Sequence, residues 1–309
     1  MTARRVAGRS ATNGGSGGRE VRFWQSLSFT GAEDLVTLGT KAEEVGFTGV
    51  TFADHLVTPE RIDSPYPYTE DGKIWWDPKT HWPDPWIVAA VVASHTTTLE
   101  FITSIYVLPM HELFGVAKSV STAAFLSDNR VTLGIGVGWM KEEFVLTGQD
   151  FHTRGRRADE MLEVIAALCA GGPVAHSGEF YSFDTLTMEP VPSARVPVFV
   201  GGESDAALAR AARHDGWFGG GPYLPDQVPP LLRRLEKHRA DADRSADPYR
   251  VMVGLATSPD AATFKRLADE GVTDFIALPW YYSIGPDVSL QTKLDTMARF
   301  SEEFIGPLQ

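Results

Sequence analysis

Eight short β-rich runs, each followed by a helical run, predict that residues 20–309 form one α/β domain, a single (β/α)8 barrel. The strand candidates are almost uniformly apolar, the pattern of a parallel sheet covered on both faces. No second set of composition shifts divides the chain, which favours closure over an open, doubly wound sheet.

The first unit pairs a strand at 21–28 with a helix at 33–45, which Gly46 closes after Ala42-Glu43-Glu44-Val45. A strand at 49–53 and a helix at 85–97 make the second unit, and 99–105 with 112–127 the third. In the fourth, β-branched and apolar residues alternate over 130–136 before a helix at 156–170. A strand at 196–200 precedes a helix at 205–214 that Ser204 can N-cap. The last three units are 216–219 with 225–241, 250–255 with a helix at 260–270 that Gly271 ends, and 274–278 with 290–304.

Two stretches break this rhythm. An insertion loop after the second strand, residues 56–84, carries Tyr66, Tyr68, Trp75, Trp76 and Trp82 among prolines. Long ordered loops at the carboxyl ends of barrel strands commonly carry function. Residues 172–195 precede the fifth strand, and Gly178 to Phe183 reads as a small hairpin insertion. The first nineteen residues hold four arginines with Gly, Ser and Asn and no apolar core, so they read as a flexible tail and not as a secretory signal.

A net charge of -12 argues against nucleic acid or an anionic membrane as partner. The longest apolar run, Trp86 to Ala93, is far below the ~18 residues a bilayer span needs. A lone cysteine, Cys169, precludes an intrachain disulfide and fits a cytoplasmic location. His111-Glu112 opens like a zinc-binding H-E-x-x-H, but Gly115 stands where the second histidine belongs, so no metal is expected. There is no Walker loop and no G-x-S-x-G elbow, and Trp139 falls where a dinucleotide fingerprint needs its third glycine.

Barrel chemistry gathers at the carboxyl ends of the strands. There the chain offers Asp54-His55, Ser104-Ile105, Gly136-Val137-Gly138-Trp139 and Gly201-Gly202-Glu203-Ser204. Gly134, Gly136 and Gly138 remove every Cβ from one face of the fourth strand's end, so main chain there can approach a flat ligand. The Gly201–Ser204 turn enters a helix whose free N–H groups could hold a phosphate. His55 can carry a proton near neutral pH, and Asp54 points to the opposite side of an extended backbone.

These residues resemble the luciferase-like monooxygenase superfamily, and within it the coenzyme F420-dependent oxidoreductase branch. The resemblance runs over about residues 20–305, through Ala53-Asp54-His55, Asp84-Pro85-Trp86, Ile102 to Pro109, Ala117-Lys118, Leu126 to Arg130, Gly134 to Phe144, Arg154 to Arg157, Val198 to Gly202 and Asp215-Gly216-Trp217. It implies a TIM-like barrel that binds a deazaflavin, or FMN in sister branches, and a non-prolyl cis bond at Ser104-Ile105 behind the ring. It further implies Asp54 and His55 near the reactive ring carbon, Val137 and Gly138 along the ring or its ribityl chain, and Gly201 to Ser204 at the phosphate. The chain departs from many relatives in carrying Ser104 where they have glycine. The expected activity is hydride exchange between F420 and a small organic substrate, with an FMN-dependent monooxygenase or a non-catalytic flavin-binding protein as alternatives. A homodimer is the expected assembly.

Overall fold

Parallel pairing of every neighbouring strand closes the main sheet on itself. The computed structural model describes residues 21–308 apart from 258, 282 and 286, so the expected 1–19 tail lies outside the described residues. Its strands are β1 (Arg22–Ser26), β2 (Gly49–Phe52), β3 (Glu100–Thr103), β4 (Tyr106–Val107), β5 (Val131–Gly136), β6 (Val174–Ser177), β7 (Ser182–Leu186), β8 (Val198–Gly201), β9 (Gly216–Tyr223), β10 (Arg250–Leu255) and β11 (Asp274–Ala277). The order β3-β2-β1-β11-β10-β9-β8-β5 returns from β5 to β3 and makes the expected eight-stranded barrel. The short β4 continues the course of β3, and both segments pair with β5.

Between the strands run helices α1 (Leu35–Glu44), α2 (Pro85–Ala93), α3 (Leu113–Leu126), α4 (Lys141–Leu146), α5 (Arg154–Ala170), α6 (Asp205–Ala211), α7 (Val228–Asp241), α8 (Ala261–Asp269) and α9 (Leu290–Phe300). Local chemistry sets their starts. Asp84 accepts the amides of Trp86 and Ile87 with Pro85 as the first helical residue of α2. Ser204 caps α6 by accepting the Ala207 amide, and Gly46 and Gly271 follow α1 and α8 with φ of 88° and 119°.

Three differences from the sequence reading matter. The third strand is broken, because the Ser104–Ile105 peptide is cis, as the resemblance implies, and the chain resumes pairing only at Tyr106. A short helix, α4, follows the fourth barrel strand where the sequence showed only a polar segment. The hairpin is longer than expected, with β6 and β7 antiparallel, and Glu160 of α5 ties it down by accepting the amides of Phe180 and Tyr181.

A small buried cluster of Trp24, Ile102, Phe199, Phe218 and Met252 fills the barrel interior, separate from the large core between sheet and helices. Below it Asp274, fully buried, accepts the Trp24 indole N–H at 2.7 Å and pairs with Arg22 and Arg250, closing that end with charge. Because strand side chains alternate, the next interior layer toward the carboxyl ends is Ser26, Thr51, Gly136, Gly201 and Gly254. Small residues there leave little side-chain volume, and a Cβ at Gly254 would meet open space.

Candidate functional site

That layer is the floor of the site. Ile105, from the broken third strand, leans into it, and the glycines opposite make this possible: a Cβ at Gly136 would meet Ile105 Cδ1, and one at Gly201 would lie 2.8 Å from its Cγ2. At Gly254 a Cβ would meet nothing within 4 Å. Thr51 Oγ1 is buried there without a hydrogen-bond partner.

Asp54 and His55 leave the floor in opposite directions. Asp54, 6% exposed, accepts the Val107 amide at 2.9 Å and His111 Nε2 at 2.8 Å through one carboxylate oxygen. The His111 ring stacks on Tyr106 at 4.1 Å between centroids. Asp54 therefore ties the end of β2 to the segment beyond Ser104-Ile105, and His111 serves that tie while Glu112 caps α3. Among the described residues no group of three His, Cys, Asp or Glu side chains is arranged to hold a metal.

His55 turns to the mouth. Its Nδ1 lies 3.1 Å from Glu143 Oε2, and Glu143, 2% exposed, accepts the Leu56 amide with its other oxygen at 3.0 Å. Glu142 accepts the amides of Asp63 and Ser64, so neighbouring carboxylates of α4 clamp the insertion loop from within. Those bonds outweigh the effect of partial burial and hold the Glu142 carboxyl below its ordinary range. The clamped loop folds Trp76 and Trp82 against His55, with ring centroids at 5.6 and 5.1 Å. Trp139 stands at 6.4 Å and touches Tyr66. The Trp82 indole N–H is buried without a partner, a second unused donor beside the histidine.

The other sequence candidates divide. Gly138, with φ of 81°, has its Cβ direction filled by Val107 and Phe144, while its carbonyl accepts from Arg154. Val137 packs against the outer core. Gly202, with φ of 114°, accepts the Trp217 indole N–H. Glu203 accepts the Tyr223 hydroxyl at 2.7 Å, and Ser204 is spent on its cap. Asp205 pairs with Arg234, which also donates to the Glu203 carbonyl. Next to this turn, Tyr68 of the insertion loop lies where Cβ atoms of Gly220 and Gly221 would be. Sequence reasoning gave Glu143 no role and weighed His111 only as a metal ligand; their available signal was position, a carboxylate and an imidazole beyond strand carboxyl ends.

The sequence pattern that defines the luciferase-like monooxygenase family matches residues 9–277. The uncharacterized protein Rv0940c of Mycobacterium tuberculosis is 35% identical over 290 residues, covering 93% of this chain and 99% of its own length. The F420-dependent hydroxymycolic acid dehydrogenase of the same organism is 25% identical over 293 residues, covering 85% of this chain and 77% of its own. Among solved structures, the coenzyme F420 dependent tetrahydromethanopterin reductase of Methanopyrus kandleri superposes with a TM-score of 0.72 at 16% identity, over 94% of this chain and 100% of that one. This last likeness is one of fold.

Proposed function

The chain belongs to the luciferase-like monooxygenase family, and we propose that this protein is a coenzyme F420-dependent oxidoreductase exchanging a hydride between the deazaflavin and a small organic molecule. The observation that carries the proposal is the small-residue layer of Ser26, Thr51, Gly136, Gly201 and Gly254, at the top of the barrel and bordered by the His55–Glu143 pair. The open space in front of Gly254 suits a flat ring. Named F420-dependent relatives favour the deazaflavin over FMN.

Residues of this chain would divide the work as follows. The main chain around Gly136 and Gly201 would hold the ring, Ile105 would back it, and the Gly202–Ser204 turn would hold the cofactor's phosphate. When bound, F420 supplies a carbon that accepts or gives a hydride. With Nδ1–H directed to the Glu143 carboxylate, His55 keeps Nε2 as the atom that takes or returns the substrate proton. Trp76, Trp82 and Trp139 wall the site and exclude water.

Titration of the purified protein with F420 and with FMN, followed by cofactor fluorescence, tests the assignment. Tighter binding of F420 is expected; preferential binding of FMN overturns it in favour of a flavin monooxygenase.

A further inference from the structure

The insertion loop leaves the end of β2, yet one of its side chains is seated on the far side of the barrel. Counted round the ring, β9 lies four strands from β2 in either direction, so the two stand opposite each other across the mouth. Tyr68 rests on the end of β9: a Cβ at Gly220 would meet its phenol, and one at Gly221 would lie 3.2 Å from its Cδ1. A Cβ at Gly219 would meet the ring of Tyr223. None of the three glycines has a left-handed φ, so their missing side chains answer to the space the tyrosines take and not to a backbone need.

The loop makes a circuit of the mouth. Glu142, beyond β5, holds the Asp63 and Ser64 amides; Tyr68 sits on β9; Trp75 packs on Tyr281, beyond β11, and on Phe29, beyond β1, at 5.6 and 4.5 Å between centroids. Inside the circuit Trp76, 8% exposed, lies against His55, Tyr66 and Trp139. Residues 65–73 close on themselves: the Tyr66 amide donates to the Gly72 carbonyl at 2.7 Å, the Gly72 amide to the Thr69 carbonyl at 3.3 Å, and Thr69 Oγ1 to the Lys73 carbonyl at 2.9 Å. A segment bonded within itself moves as one piece when its outer contacts are released. Its hold on β9 is the Tyr68 ring, which stays 40% exposed and is therefore seated but not enclosed.

We propose that residues 65–73 are a lid shut across the mouth, with Tyr68 as its latch on Gly220 and Gly221, and that F420 enters and leaves only when the latch is out of its seat. The passage of F420 rests on the hydride-transfer reading above; the latch rests on packing alone. A lid that must open for passage in both directions slows association and dissociation together and leaves affinity nearly unchanged. That signature separates a latch from a residue that touches the cofactor, whose loss speeds dissociation alone.

Stopped-flow fluorescence with F420 tests it on Tyr68→Ala, which removes the latch, and on Gly220→Ala, which fills its seat. Both rate constants are expected to rise about 10-fold, equivalent to about 1.4 kcal/mol, with the dissociation constant within about 3-fold of wild type. Tryptic cleavage after exposed Lys73 in the cofactor-free protein should quicken by about the same factor. The seat also permits a lock, because Tyr68 Cβ lies 3.9 Å from where a Cβ at Gly221 would be, within disulfide range. The oxidised Tyr68→Cys/Gly221→Cys variant should take up F420 at least ~10-fold more slowly than wild type, and its reduced form as fast as Tyr68→Ala. Unchanged rates in both single variants, faster dissociation with unchanged association, or an oxidised lock that takes up F420 at the wild-type rate overturns the proposal. A protein that does not bind F420 refutes the cofactor reading, and cleavage at Lys73 still judges the latch: an unchanged rate in Tyr68→Ala refutes it.

Discussion

His55 and Glu143, 88 positions apart, meet with Nδ1 3.1 Å from Oε2, and the same carboxylate holds the amide of Leu56 through its other oxygen. One side chain thus fixes both the ring of His55 and the backbone that follows it. Such a carboxylate orients the imidazole and decides which nitrogen faces the substrate.

Replacement of His55 by Ala should lower turnover by about 10²-fold or more, the usual contribution of a positioned acid–base group, with F420 affinity changed only a few-fold. Steady-state kinetics with a parallel fluorescence titration separates the two effects. Unchanged turnover would remove His55 from the mechanism.

Glu143→Gln keeps the size of the side chain but loses its charge. We expect a fall in kcat of about 10-fold or more and a displaced pH–rate profile, because the acceptor of the His55 Nδ1 proton is weakened. A drop in melting temperature should accompany it, since the buried carboxylate also accepts two loop amides.

Gly254 and Gly136 should respond oppositely to enlargement. Gly254→Leu meets open space and should fold with wild-type stability while losing F420 binding at least ~10-fold, equivalent to about 1.4 kcal/mol. Gly136→Val collides with Ile105 and should lower stability by ~1–3 kcal/mol in denaturant unfolding, the usual cost of overpacking.

Asp54→Ala removes the acceptor shared by Val107 and His111 and leaves both donors buried. A loss of roughly 2–4 kcal/mol is expected from unsatisfied buried groups, read by urea unfolding. Asp54→Asn, which retains an acceptor, should recover part of it.

Two groups contribute to the acid limb of stability in separate windows. Burial raises the Glu43 carboxyl, but hydrogen bonds from Thr98, Thr97 and Leu99 outweigh this and hold it down from 4.5 to about 2. Its contribution is complete above pH 4.5 and is lost as pH falls toward 2. Burial, with nearby Arg213, lowers His214 from 6.5 to about 4, so the unfolded chain binds the extra proton and stability declines as pH falls through that interval. Unfolding of Glu43→Gln and His214→Gln against pH should flatten the lower and upper windows respectively.

By itself the sequence determined the architecture. Period-2 apolar runs such as 130–136 and helix signals such as Ser204, Gly46 and Gly271 act over a few residues, so they are legible in one dimension. The strand ends that border the site followed from the rule that barrel strands present their carboxyl ends to one rim. Only tertiary structure decided the partners. Glu143 reaches His55, His111 reaches Asp54, and Tyr68 reaches Gly220 across separations that local patterns do not encode. It also gave the glycines a second meaning, since Gly136 and Gly201 make room for Ile105 while Gly254 faces open space. Whether a missing Cβ serves a neighbouring strand or leaves a cavity depends on what stands opposite, and barrel closure alone sets that.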